Sequence, residues 1–163
     1  MRADFVIRRA SASDREAVLR IADAAMREFG LVPDFAGLDT ELGRIAENRD
    51  GTIAELVAVV SSVVGGSVIV SVKMGPVGKL SGFYVSKALR GQGIGRALLG
   101  AAVEAARLSG KERLYLETWG RMNAAVRLYE STGWVRGEDP PASSGADRSY
   151  WLVLGASSEV DLI

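Results

Sequence analysis

Leu80-Ser81-Gly82-Phe83-Tyr84-Val85 runs into Ser86-Lys87-Ala88-Leu89 and then into Arg90-Gly91-Gln92-Gly93-Ile94-Gly95-Arg96. The first six residues read as a strand. Ile94 opens a long helix, in which Leu98, Ala101, Ala102, Ala105 and Leu108 mark an alanine-rich apolar face able to lie close against a sheet. Between strand and helix, glycines at 91, 93 and 95 let the backbone approach a ligand with no Cβ in the way. The first helical turn supplies unpaired N–H groups and a partial positive charge. Together these parts make an anion cradle suited to a pyrophosphate, with Arg90 and Arg96 adding charge at its rim.

Other nucleotide loops fit less well. A Walker loop needs Gly-x-x-x-x-Gly-Lys-Ser/Thr, which is absent. A Rossmann fingerprint needs Gly-x-Gly-x-x-Gly in the first βαβ unit. Here the spacing is Gly-x-Gly-x-Gly, and four strands come before it. Taken alone, the glycine pattern also fits a strand-to-helix turn that binds nothing.

Outward from the loop, the chain alternates in period. Asp4 to Arg8 reads as a strand, and Ser13-Asp14-Arg15-Glu16 as a capping box for a helix carrying Val18, Ile21, Ala22 and Ala25 and ending near Gly30. Pro33 and Gly37 mark a loop, and Leu38, Leu42, Ile45 and Ala46 a second, shorter helix. Ala54 to Val60 and Val63 to Val72 are rich in β-branched residues and meet across Ser61-Ser62 as a hairpin. Gly75-Pro76-Val77-Gly78 turns the chain into the strand before the glycine loop. After the long helix and Gly110 come a strand over Arg113 to Thr118, a helix over Ala124 to Ser131 closed by Gly133, and a strand from Trp134. A polar loop over Glu138 to Asp147 leads to a last strand, Tyr150 to Leu154. The expectation is one mixed α/β domain over residues 1–155, with 156–163 a loose tail.

Composition narrows the chemistry. The chain has 163 residues, 48% hydrophobic and 25% charged, which suits one globular core. Twenty basic and twenty acidic residues cancel, so no global field draws in nucleic acid or an anionic membrane. There is no cysteine and no histidine. That excludes disulfides, Cys- or His-based zinc sites, Cys nucleophiles and every triad that needs imidazole; no metal is expected. Met1 to Ile7 lacks the layout of a secretory signal, and Glu55, a serine pair and Gly65-Gly66 interrupt the longest apolar stretch, Ile53 to Val72. The expectation is a cytoplasmic protein.

Arg-x-x-Gly-x-Gly after a strand ending in Tyr84-Val85, followed by Ala97-Leu98-Leu99, resembles the coenzyme A pyrophosphate loop of the GNAT N-acetyltransferase superfamily. Downstream, Ala125-Val126-Arg127-Leu128-Tyr129-Glu130-Ser131-Thr132-Gly133-Trp134 resembles that family's Ala-x-x-Leu-Tyr-x-x-x-Gly-Phe segment, with Trp in place of Phe. The resemblance spans roughly Phe5 to Leu154. It implies a central mixed sheet flanked by helices, with two parallel strands splayed to admit the pantetheine arm. It further implies acetyl-coenzyme A as cosubstrate, an amine as acceptor, and direct transfer in a ternary complex.

Carried over, pantetheine contacts fall on the backbone of Phe83 and Val85. The pyrophosphate falls on Gly91, Gln92, Gly93, Ile94, Gly95 and Arg96, beside Arg90. Tyr129 maps onto the tyrosine that protonates the leaving thiolate. Asn123 resembles the pantetheine-binding asparagine, displaced by one residue. Many relatives carry a glutamate on the strand before the loop; this chain has Lys79, Ser81 and Tyr84 there, so Glu117 on the next strand is the candidate base.

The acceptor is expected between the first two helices and the 138–147 loop, near Glu28, Asp34, Asp39 and Glu41, with Phe29 and Phe35 as an apolar wall. Small amines and protein amines are both open, as is a homodimer. The rival readings are a non-catalytic acyl-coenzyme A sensor and a transferase of another acyl group.

Overall fold

The structure, a computed structural model, describes residues 4–155; the proposed tail lies outside the described residues. Seven strands form one sheet in the order β1-β2-β3-β4-β5-β7-β6. They are β1 (Phe5–Arg9), β2 (Thr52–Val60), β3 (Val63–Met74), β4 (Val77–Val85), β5 (Arg113–Thr118), β6 (Val135–Arg136) and β7 (Arg148–Val153). The helices are α1 (Arg15–Glu28), α2 (Thr40–Gly43), α3 (Ile94–Leu108) and α4 (Asn123–Ser131). Element order follows the expectation throughout, and the sheet is mixed as expected. The β2–β3 hairpin turns on Ser61 and Ser62, both with positive φ, the geometry that lets a two-residue loop match strand twist.

The sheet buries both faces. One face, with Val68, Val70, Leu80, Leu114, Leu116 and Tyr150, packs on α3 and α4. The other, with Val57 and Ile69, packs on Val18 and Ala22 of α1 and on Leu42 and Ile45. Helix α3 sits through Ile94, Leu98, Leu99, Ala102 and Ala106, whereas Leu108 is 77% exposed. Ala105 is half-buried and packs against the same cluster as expected, but the 3.6 period carries the buried face on to Ala106 and leaves Leu108 outside it.

Two further local readings are corrected. The capping box lies two residues earlier, between Ser11 and Asp14, and leads through a 3₁₀ turn into α1. Helix α2 has only four residues: it ends at Arg44, whose φ −114° and ψ 22° leave the helical region, and the left-handed Ala46 and Asn48 beyond keep the chain from resuming it.

Asp14 also ties β1 to α1. Its carboxylate accepts from Arg8 Nη1 at 2.7 Å and Nη2 at 3.0 Å, and from the Ser11 N–H at 2.7 Å. The Arg8 bonds, helped by Ser11 and opposed by burial, pull the Asp14 carboxyl down to about 2. A depressed carboxyl stabilises the fold fully above its unfolded value of about 3.9, and that stability disappears as pH falls through about 2. Asp14→Asn is therefore expected to cost about 1–2 kcal/mol at neutral pH. It should also flatten the acid side of a stability-against-pH curve measured by urea unfolding. An unchanged curve would show the pair to be energetically idle.

Candidate active site

β4 and β5 are the sheet's parallel pair, yet their register runs only from Val77↔Arg113 to Lys79↔Tyr115. Beyond Lys79 the two strands part, as the resemblance implied. β4 keeps its β3 partner through an irregularity, since Ser81 pairs Ile69 while Tyr84 pairs Ser67. One extra residue sits on β4 at this bulge, where Gly82 takes φ +58°. Its consequence is directional. Leu80, Phe83 and Val85 face α3, whereas Ser81 and Tyr84 face α1 and α2.

Two clefts meet at this bulge. The first, about 340 Å³, is lined by Phe83, Val85, Arg90, Gly91, Gly93, Gly95 and Arg96 from the β4–α3 segment. Ala124, Ala125 and Leu128 of α4 face them, and Ala25 and Phe29 complete the wall. Gly93, at φ +88°, is the N-cap of α3 and makes no side-chain cap. Ala97 donates the first intrahelical bond, to Gly93 O at 3.1 Å, so the N–H groups of Ile94, Gly95 and Arg96 have no partner within the helix. A Cβ on Gly95 would meet Phe83, Val85 and Leu128 at 3.6–3.7 Å, inside the cleft. Amides, dipole and missing side chains together suit a phosphate group.

Seven of the predicted cofactor residues thus share one wall. Ile94 lies beneath it, 1% exposed and part of the core. Gln92 is half-buried and outside the lining, and Asn123 is exposed at the first turn of α4 while its neighbours Met122 and Ala124 line the cleft. Arg90 is more engaged than the sequence suggests. Its Nη1 bonds both Glu28 oxygens, at 2.9 and 3.0 Å, and its Nε bonds Val85 O at 3.1 Å.

The second cleft, about 240 Å³, lies on the α1–α2 side. Its polar lining is Asp39, Glu41, Lys79, Ser81, Glu117 and Ser144. Val32, Leu38 and Trp119 form an apolar mouth. The 138–147 loop closes one side, held by Trp119 Nε1 donating to Gly145 O and by the Gly120 N–H donating to Asp147 at 2.8 Å. Each carboxylate has a different hold. Glu117 accepts from Tyr115 at 2.7 Å, and burial first, then Glu117, pushes the Tyr115 hydroxyl up to about 12. Asp39 accepts from the Asp34 N–H at 2.7 Å, and burial raises its carboxyl above the ordinary value. Glu41 accepts from the Ser81 hydroxyl.

Two assignments by sequence move. Phe29 lines the first cleft, not the second, and Phe35 packs in the core cluster under α2. Of the four acids expected near the second cleft, Asp39 and Glu41 line it, whereas Glu28 holds Arg90 beside the first.

Tyr84 lines both clefts. It stands where the sequence offered only a strand position lacking an acid; the signal was the glycine before Phe83, read as strand and not as bulge. Tyr129 is 4% exposed and lies behind the first cleft. Its ring centroid is 6.1 Å from Phe83, 5.8 Å from Trp134 and 5.7 Å from Tyr150. Burial, then the neighbouring Tyr84 and Tyr150, pushes its hydroxyl well above the ordinary phenol value.

A mixed sheet whose parallel strands part beside a glycine-loop helix start is the GNAT fold, and the comparisons agree. The model of the Acetyltransferase (GNAT) family matches residues 17–134, and the chain belongs to that family. It is 31% identical over 134 residues, 78% of this chain and 80% of the other, to the uncharacterized N-acetyltransferase YjgM of Escherichia coli K12. A GNAT-family acetyltransferase from Staphylococcus aureus Mu50 superimposes with a TM-score of 0.82 at 20% identity, covering 93% of this chain and all of that one. The putative acetyltransferase yncA of Salmonella typhimurium, solved with its cofactor acetyl-CoA, gives 0.74 at 23%, over 94% of this chain and 96% of that one. Among the described residues no helix is long and apolar enough to cross a membrane, and no group of three or more acidic, His or Cys side chains could hold a metal.

Proposed function

We propose that this protein transfers the acetyl group of acetyl-coenzyme A to an amine, by direct attack within a ternary complex. The observation that carries this reading is the junction at Tyr84, where an amide-lined cleft meets an acid-lined one across the bulge of β4. The Salmonella neighbour's acetyl-CoA supports the choice of cosubstrate.

In this reading, pyrophosphate rests on the Gly91 to Arg96 amides, and the pantetheine arm bonds the backbone of Phe83 and Val85 along the β4 edge that β5 leaves unpaired. Arg90 then exchanges its hold on Val85 O for the ligand. The amine enters past Val32, Leu38 and Trp119 into the second cleft, whose three carboxylates outnumber its one lysine and favour a cationic acceptor. Having shed its ammonium proton to solvent, the amine nitrogen attacks the thioester carbon and gives up a second proton, the C–S bond breaks, and the sulfur takes a proton from Tyr129. With no cysteine in the chain, a ternary complex needs no acyl-enzyme.

Turnover of acetyl-coenzyme A against a panel of mono- and diamines, amino acids and N-terminal peptides tests the reading. Thiol release with intersecting double-reciprocal lines is expected, fastest with cationic acceptors. Tight acetyl-coenzyme A binding without turnover would make the protein a sensor; preference for another acyl thioester would change the donor.

A further inference from the structure

Within the transferase reading, on which this inference rests, we infer that Ser81 and Glu41 form the proton relay that activates the acceptor amine. β4 carries no acid on the face of the second cleft, only Lys79 and Ser81, with Tyr84 at the junction. A carboxylate reaches that strand position from elsewhere: Glu41, forty residues away on α2, takes the Ser81 hydroxyl proton in its hydrogen bond. Both residues line the cleft. The bulge at Gly82 puts Ser81 on the same sheet face as Tyr84, the residue shared with the first cleft. Ser81 therefore stands on the acceptor's side of the junction.

The two other carboxylates of the cleft are otherwise employed. Glu117 holds the Tyr115 hydroxyl, and Asp39 holds the Asp34 N–H that shapes the loop before α2. Glu41 is bonded to a hydroxyl that itself lines the cleft and can both accept and donate, whereas the Tyr115 hydroxyl on Glu117 is outside the lining. As the amine nitrogen forms its bond to the thioester carbon, its proton passes to Ser81 Oγ, and the Ser81 proton passes to Glu41. The C–S electron pair leaves with sulfur and is protonated from the other side of the junction. One proton is lost from nitrogen and gained by Glu41, one passes from Tyr129 to sulfur, Ser81 ends unchanged, and exchange with solvent returns Glu41 and Tyr129 to their starting states.

Four variants test the relay, each assayed for kcat/KM over pH on the best amine, with calorimetric acetyl-coenzyme A affinity as control. Glu41→Gln keeps an acceptor for the Ser81 hydroxyl but cannot take a proton. Its kcat/KM is expected to fall about 10²–10⁴-fold, with donor affinity unchanged and the remaining rate rising with pH as the free amine accumulates. Ser81→Ala should fall in the same direction with the same pH dependence, and Ser81→Thr, which restores a hydroxyl, should recover most of the loss. Glu104→Gln, at an exposed acid of α3 outside both clefts, should leave the shape of the pH profile as in wild type. A Glu41→Gln enzyme within threefold of wild type across pH would overturn the relay while leaving the transferase reading intact. So would a loss matched by lost donor affinity, or a Ser81→Thr variant as slow as Ser81→Ala. Should Glu41→Gln not fold, the Ser81 pair decides alone. A wild-type protein that turns over no amine would overturn both.

Discussion

Tyr129→Phe is expected to lower kcat and kcat/KM together by about 10²–10⁴-fold while leaving the fold intact. The ring is held on three sides by Phe83, Trp134 and Tyr150, and phenylalanine reproduces every one of those contacts. No hydrogen bond to its hydroxyl is found among the described residues, so deleting the oxygen orphans no partner. Unfolding free energy should stay within about 0.5 kcal/mol of wild type. Burial keeps the phenol protonated well above its ordinary range, the state a proton donor needs. This group therefore adds no falling limb to the rate below about pH 10. A Tyr129→Phe enzyme with wild-type kcat, measured where chemistry limits the rate, would make the phenol packing only. The proton would then come from Tyr84, which lines both clefts, or from solvent.

The features legible in the sequence were those set by neighbours along the chain. The Ser61-Ser62 hairpin, the glycine loop and the start of α3 at Ile94 follow from turn chemistry and helix-end physics within a few residues. β5 is legible over Arg113 to Thr118, the bounds the structure gives it, with Leu114, Leu116 and Thr118 on its buried side. What the sequence hid depends on how distant pieces meet. Glu28 and Phe29 close α1, and only the packing of that helix against the β4–α3 loop turns them toward the first cleft. Nothing within a window around Ser81 indicates that its partner is Glu41. Tyr84 gained its place from one extra residue in β4. Alternation counted through Gly82 as regular strand would have put it on the opposite face.

The same bulge explains why one strand can serve two ligands. Leu80, Phe83 and Val85 serve the α3 side, and Ser81 and Tyr84 the α1 side, so adjacent residues of β4 face donor and acceptor. A regular strand would alternate too, but without the extra residue Ser81 and Tyr84 could not share a face.

Gly95→Val should abolish most donor binding without disturbing the helix. Gly93 is the less informative target, because its φ of +88° would strain any β-branched side chain whatever the ligand does. Gly95 lies inside α3, where ordinary helical φ admits every L-residue, and valine is a better helix former than glycine. Its Cβ would touch Phe83, Val85 and Leu128 at 3.6–3.7 Å, ordinary contact distances, so the protein itself has room for it. The two methyl groups beyond that Cβ would occupy the cleft in front of the unpaired N–H groups of the first turn. A ligand phosphate meeting them loses both the close approach and several amide bonds. With overpacking alone costing about 1–3 kcal/mol, coenzyme A affinity should fall about 10–100-fold by calorimetry, at an unchanged or slightly raised Tm. Wild-type affinity in a folded Gly95→Val protein would show that the phosphates bind elsewhere, and the glycines of this loop would then be a turn and nothing more.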